Sequence, residues 1–415
     1  MTSFSSTTDA STVVAPTRLG RIGSERALAV LLSFTFGVVM LDRMVQLFLA
    51  RDLIAAFHLS GGQVGLLAGV VSVSWAVSTV LFGVVSDRVG RKRVLVPAVI
   101  AFSLASFLSG LARNYTELLL VRALLGFCEG PCWSVVMALM SDHSSPHHRG
   151  RNLGIVNSAG SLVGSAVAPI FATQIAAAFG WRSAFFAAGV PGLVAAALIL
   201  FLVAEPPRAP KAERTSLRES LAVLRVPGLW LCFLGAICFT TFVISFSVFA
   251  PLFLTGAHRM APTDAGLLMG ASGLGGFVYS LAGPWVSDRI GRKPMLLVAA
   301  LLCLLLPLVL VLGVGLPLSG LGVAALLLTA APAIAAVMLI VLPVELAPAG
   351  ASASAIGFVA IGAEAVGATL GPVAAGVAGD RWGPAAPLLV CSAAATGILL
   401  LTLLLPRARP AALSQ

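Results

Sequence analysis

The amino-acid sequence predicts an all-α membrane protein of twelve transmembrane helices, arranged as two pseudo-symmetric six-helix bundles. Three observations carry that expectation. Apolar residues make up 59% of the 415-residue chain and charged residues only 10%, whereas a soluble globular protein carries roughly 25% charged residues. Several apolar runs exceed the ~18 residues that a helix needs to cross a bilayer. A ten-residue stretch, Gly83-Val84-Val85-Ser86-Asp87-Arg88-Val89-Gly90-Arg91-Lys92, returns two hundred residues later, one residue longer between its first Gly and its Ser, as Gly283-Pro284-Trp285-Val286-Ser287-Asp288-Arg289-Ile290-Gly291-Arg292-Lys293. Self-similarity at that distance marks two copies of one architectural unit.

Taken in order, residues 1–26 form a Ser/Thr-rich tail ending in Arg18, Arg21 and Arg26, read as cytoplasmic because no small-residue cleavage site follows it. The first bundle occupies 27–204, with spans at 27–50, 62–85, 94–112, 117–140, 152–178 and 184–204. Residues 205–228 break the pattern with prolines and charges and serve as the linker, with Ser216–Leu224 a candidate surface helix. The second bundle occupies 229–405, with spans at 229–255, 264–287, 295–314, 320–345, 352–378 and 386–405, and 406–415 form a second tail.

The net charge of +10 does not point to nucleic acid, because the basic residues sit in short clusters between apolar runs. Of 26 Lys and Arg, five (Arg51, Arg113, Arg182, Arg259, Arg381) fall in one set of loops and two (Arg43, Arg122) within spans. The remainder lie in the opposite set, which places both termini in the cytoplasm and the chain in a bacterial-type inner (plasma) membrane. The six cysteines lie in or beside apolar runs without metal-site spacing and read as small buried hydrophobes. No metal, cofactor or nucleic-acid partner is expected; the partners are the bilayer, protons and a small molecule, and the chain is expected to act as a monomer.

The repeated stretch lies where a span gives way to a short basic loop. Gly83 and Gly283 are expected to let backbones pack, and Gly90 and Gly291 to permit a tight reversal. Asp87 and Asp288 end their helices and can meet a neighbouring helix N-terminus. Arg88, Arg91, Arg289 and Arg292 can pair with carboxylates or lipid phosphates. An Asp–Arg latch that forms and breaks between the halves is the functional reading; a topology signal is the plainer one. Twelve spans, a basic central linker and this loop after spans two and eight resemble the major facilitator superfamily. The resemblance implies bundles that rock around a central site without ATP hydrolysis, and no phosphate-binding G-x-x-x-x-G-K-[ST] occurs.

Charge inside a span costs at least ~2.5–3.5 kcal/mol at mid-bilayer, so each case needs a partner or a task. The first span carries Asp42 and Arg43; the fourth carries Arg122 and Glu129, seven apart and so on one face. Two guanidinium groups suit an anionic substrate, and two carboxylates in a partly dry site suit proton transfer. Leu120 to Pro131, with its R-x-x-x-G-x-x-E-G pattern, is similar together with Asp42-Arg43 to the anion:cation symporter family. That resemblance implies Arg43 as the contact to an organic carboxylate, Asp42 and Glu129 as proton-coupling groups, and Arg122 as a group that tunes Glu129 or the gate. The family's usual Tyr or Asn before the Asp-Arg pair is replaced here by Val38-Val39-Met40-Leu41. The first-span Asp-Arg also resembles spinster-type lipid transporters.

Further candidates for the substrate site are Gln46, Trp75, Asn157 and Glu364, with Gln174 and Tyr279 as weaker ones; Glu345, near the inner end of the tenth span, is expected as a gate or cap. The fifth span carries Gly160 and Gly164 at a spacing that lets helices pack closely, but lacks the adjacent Gly-Pro of superfamily antiporters; Gly371-Pro372 lies in the eleventh. The expected activity is therefore proton-coupled uptake of a small organic anion such as a sugar acid, and not an enzymatic one; the alternative is proton-driven export of drugs, metabolites or lysolipid-like amphipaths.

Overall fold

A computed structural model describes residues 22–145, 147–205, 222–348 and 351–405. Twelve helices within them are long and apolar enough to cross a membrane. The first six are α1 (Glu25–Phe48), α2 (Gly61–Val89), α3 (Arg91–Leu111), α4 (Tyr115–His143), α5 (Arg149–Phe179) and α6 (Trp181–Leu202). The second six are α7 (Pro227–Gly256), α8 (Pro262–Ile290), α9 (Arg292–Leu312), α10 (Leu318–Leu346), α11 (Ser354–Trp382) and α12 (Ala386–Leu404). Residues 1–21 of the first tail, the second tail and most of the candidate surface helix lie outside the described residues, while Glu25 and Arg26 already belong to α1; at the C-terminal end of the candidate surface helix the chain makes a single 3-10 turn, Val223–Arg225.

Local chemistry sets the helix ends. The Ser24 hydroxyl caps α1 by accepting from the Ala27 amide, and Ser60 and Gln63 form a capping box at the start of α2. Asn114 caps α4 by accepting from the Glu117 amide. The first span ends earlier than expected: Leu49 leaves the helix, and a separate short helix, Ala50–Phe57, buries Ala50 and Leu53. The turns after α2 and α8 are single glycines, Gly90 at φ +123° and Gly291 at φ +95°. Side chains with a Cβ rarely adopt those angles, which is why the duplicated stretch carries glycine there.

The two halves meet along two matching seams. On α2, Gly61, Gly65 and Gly69 pack against Gly376, Pro372 and Thr369 of α11. On α8, Gly266, Gly270 and Gly273 pack against Thr173, Ile170 and Ser165 of α5. A Cβ on Gly69 would lie 2.7 Å from the Thr369 carbonyl oxygen, so these backbones touch. Both seams lie toward the ends of α2 and α8 remote from Gly90 and Gly291; we call this the far end, and the opposite one the motif end. Gly160 and Gly164 bear out the expected close approach within one half, against Phe36 and Met40 of α1. Among the described residues, three helices contain a wider π segment: Val163–Val167 in α5, Ala335–Val341 in α10 and Gly362–Gly367 in α11.

Candidate functional site

The four charges of the first half form one buried group. Asp42, Arg122 and Glu129 are fully buried and Arg43 is 9% exposed. They act electrostatically on one another across α1 and α4. Glycines set this burial: Gly126 and Gly130, which flank Glu129, let α4 lie directly on the backbone of α2 at Val71 and Trp75. Thr79 fastens the crossing by donating to the Gly130 carbonyl at 2.8 Å. The R-x-x-x-G-x-x-E-G pattern thus combines the packing contact with the charge it encloses.

Each charge has a different degree of pairing. The hydroxyl of Ser106 on α3 hydrogen-bonds Asp42 Oδ1 and lies 2.9 Å from the Phe185 carbonyl oxygen. Arg122 stacks its guanidinium 4.4 Å from the Phe185 ring of α6. Its three nitrogens, both oxygens of Glu129 and Asp42 Oδ2 have no hydrogen-bond partner among the described residues. Buried ionisable groups left in this condition are costly to stability and characteristic of functional sites.

Arg43 faces the other half. Its Nη2 donates to Glu364 Oε2 of α11 at 2.9 Å and to Ser72 Oγ of α2 at 3.3 Å. The Trp75 ring lies 4.2 Å from the guanidinium carbon, a cation–π contact. Arg43, Trp75 and Glu364 are therefore one constellation, and the charge cluster on α1 and α4 lies beside it.

Other candidates fall elsewhere. Gln46 donates to the Leu67 carbonyl at 2.9 Å and lines a small apolar pocket with Leu53, Val64 and Val248; it ties α1 to α2 and does not join the constellation. Asn157 is exposed and accepts from Trp133 Nε1 at 3.5 Å, linking α5 to α4 one turn beyond Glu129. Tyr279 donates to the Leu327 carbonyl and so packs α8 on α10, and Gln174 is exposed.

The duplicated stretch behaves differently from the expected latch. Arg91 pairs with Asp87, one turn before it, and with Asp142 at the end of α4 at 3.4 Å. Arg292 repeats this with Asp288 and, at 2.9 Å, with Glu345 at the end of α10. Each arginine also donates to the preceding serine, Ser86 at 3.0 Å and Ser287 at 2.7 Å. The ion pairs close within each half because the one-residue turn returns the arginine over its own aspartate. Arg88 is exposed and Arg289 stacks on Trp285 at 3.6 Å. The anion at the N-terminus of α3 is Glu205 and not Asp87: it accepts from the Lys92 and Arg93 amides, each at 3.2 Å. A Cβ on Gly283 would lie 2.5 Å from that of Ala333, as close packing requires, whereas one on Gly83 would meet nothing within 4 Å.

Sequence reasoning missed Ser72, Ser106 and Phe185, which hold the charged groups, and Asp380. That last carboxylate, at the end of α11, accepts from the Gly61 amide at 2.7 Å and the Gly62 amide at 3.0 Å. Hydroxyls spaced along an otherwise apolar α3, Ser103, Ser106 and Ser109, were the available signal for Ser106.

Comparison with known proteins agrees with the architecture. The family model of the Major Facilitator Superfamily matches residues 32–372. The Probable 4-methylmuconolactone transporter of Cupriavidus pinatubonensis (strain JMP 134 / LMG 1197) is 31% identical over 60% of this chain and 60% of its own length. The hexuronate transporter of Bacillus subtilis (strain 168) is 28% identical over 64% of this chain and 65% of its own. The chain thus spans about three-fifths of the length of these curated relatives. Among solved structures, the nucleoside transporter NupG superposes with a TM-score of 0.71 at 15% identity, covering 91% of this chain and 98% of that one. An inward-facing, unoccupied bacterial homolog of the human lysosomal transporter Spinster gives 0.71 at 20% identity, covering 92% and 94%.

Proposed function

This chain belongs to the Major Facilitator Superfamily of secondary transporters, and we propose that it couples uptake of a small organic anion to protons. The single observation that supports this most is Arg43, a nearly buried guanidinium held by Trp75 and Ser72 and engaged by a carboxylate across the midline between halves. A guanidinium so placed binds a carboxylate through charge-assisted hydrogen bonds, about twice as strong as neutral ones. Hexuronate and 4-methylmuconolactone, named for the two relatives above, are small acids of the kind such a site recognises.

Glu129 and Asp42 are the proton-carrying groups in this reading. Glu129 is buried without a hydrogen-bond partner among the described residues, and the charges of Asp42, Arg43 and Arg122 act on it. Its charge state therefore responds to whether Arg43 is occupied, which is what coupling requires. Arg122, stacked on Phe185, sets the field between the two carboxylates. Glu364 and Trp75 complete the substrate site.

In the bilayer we place the motif end in the cytoplasm, from the bias of basic residues, with the chain working as a monomer in the inner membrane. The halves meet at the far end along α2–α11 and α5–α8, and in this reading the site opens toward the motif end for release into the cell. The duplicated ion pairs then brace each half as a rigid body during rocking. The test is uptake into proteoliposomes under an imposed proton gradient, with hexuronates, muconolactones and simple monocarboxylates as candidate substrates. Gradient-dependent accumulation of one acid supports the proposal. Silence toward all of them, together with export of an amphipathic dye, overturns it in favour of an exporter.

A further inference from the structure

Arg43 is the cation assigned under the proposed function to the substrate's carboxylate, and in this structure a carboxylate already engages it. Glu364 Oε2 lies 2.9 Å from Arg43 Nη2 and comes from the opposite half, 321 residues away. Access to the two groups is unequal: Glu364 is 29% exposed and Arg43 only 9%. A ligand in the space between the halves therefore meets the carboxylate side of the pair first.

The supports around the pair are unequal in the same sense. Arg43 is positioned without Glu364, by the Trp75 ring at 4.2 Å and Ser72 Oγ at 3.3 Å. The backbone that carries Glu364 is also fixed. It lies in the π segment Gly362–Gly367, a device that re-aims side chains. Thr240 of α7 donates to the Ala363 carbonyl at 2.7 Å, and Thr369 donates to the carbonyl of Glu364 itself at 2.8 Å. The carboxylate, by contrast, has Arg43 as its one hydrogen-bond partner among the described residues. α7, packed along the π segment, carries no charged residue to replace it. Two anchored elements thus meet through one exchangeable bond.

The geometry points to Glu364 as an internal stand-in for the substrate's carboxylate. In the unloaded transporter it neutralises Arg43 and ties α11 to α1; an incoming carboxylate takes over the guanidinium and frees α11. The inference rests on the reading of Arg43 as the anion-binding group. One-for-one exchange keeps the guanidinium paired at each stage, so binding never leaves a nearly buried charge without a partner. It also converts binding into motion, because the bond given up joins the halves and the bond gained does not. Neutral ligands make no such exchange, which confines the site to carboxylates and close anionic relatives.

The test is chemical complementation. Purified wild type, Glu364→Ala and the double variant Arg43→Ala/Glu364→Ala are unfolded thermally in detergent with sodium formate or propionate, against sodium chloride at equal ionic strength. Removing the stand-in leaves Arg43 open, so both acids raise the melting temperature of Glu364→Ala in a saturable way. Wild type responds more weakly and the double variant not at all. The same response in Glu364→Ala and the double variant, or none in either, overturns the stand-in. If Glu364→Ala does not fold, Glu364→Gln, which keeps the shape and loses the charge, carries the same comparison. Failure here with carboxylate uptake intact in wild type removes the stand-in alone. A saturable response with no carboxylate transported removes the uptake reading and leaves the stand-in.

Discussion

Asp380, in the last turn of α11, accepts hydrogen bonds from the backbone amides of Gly61 and Gly62, the first residues of α2. A carboxylate of one half thereby caps a helix of the other, at the far end of the seam. Hydrogen bonds to a charged group contribute roughly 1.5–3 kcal/mol when well formed, and a helix N-terminus adds some tenths. The site is exposed, so about 1–2 kcal/mol is the reasonable net value, or on the order of tenfold in a two-state population.

The first prediction concerns this contact. Asp380→Ala shifts the transporter toward a state open at the far end. Electron-spin distance measurements between labels at the far ends of α2 and α11 show a longer-distance population in the variant. An unchanged distribution means that the glycine seam alone holds the closure.

The glycines of the duplicated stretch are expected to diverge. Gly83→Ala meets open space and gains helix propensity worth up to about 1 kcal/mol. Gly283→Ala forces its Cβ against Ala333 and loses about 1–3 kcal/mol by overpacking. Thermal unfolding of the two variants in one detergent reads the difference directly. Equal effects would mean that both glycines serve only the loop.

A third expectation concerns Glu205. It caps α3 while Lys92 donates to the Leu200 and Val203 carbonyls at the end of α6, and Lys293 does the same for the Leu403 and Leu405 carbonyls. Glu205→Ala lowers stability by about 0.5–2 kcal/mol, as loss of a cap does. Substrate affinity in binding assays stays unchanged, because Glu205 touches neither Arg43 nor its neighbours.

The substrate site separates charge from shape. Arg43→Ala removes a charge-assisted hydrogen bond and weakens carboxylate binding by roughly 10- to 150-fold. Arg43→Lys retains part of it, since an ammonium keeps the charge but loses the planar donor fork and the stacking on Trp75. Equilibrium binding of the transported acid to both variants checks the order.

The legible parts of this molecule were those where a residue type contrasts with its surroundings. Asp42, Arg43, Arg122 and Glu129 stand out because charge is costly in an apolar run, and the structure does gather them. The repeat stood out because it is long and charged. The seam glycines did not, since Gly61, Gly65 and Gly69 are three of 42 glycines and their partners lie some three hundred residues away. Ser72 and Ser106 were hidden for another reason. A helical hydroxyl ordinarily bonds its own backbone, as Ser103 does with the Val99 carbonyl, so sequence does not show which one reaches a charged neighbour. The direction of the Asp–Arg pairing depended on a one-residue turn, a detail of φ angles and not of composition.

Proton coupling through Glu129 is most directly tested in proteoliposomes containing a pH-sensitive dye, with the transported acid added outside. Wild type is expected to acidify the interior as the acid enters. Glu129→Gln is expected to exchange labelled for unlabelled acid yet produce no acidification. Acidification by Glu129→Gln at the wild-type rate would contradict the assignment of Glu129 as a proton carrier.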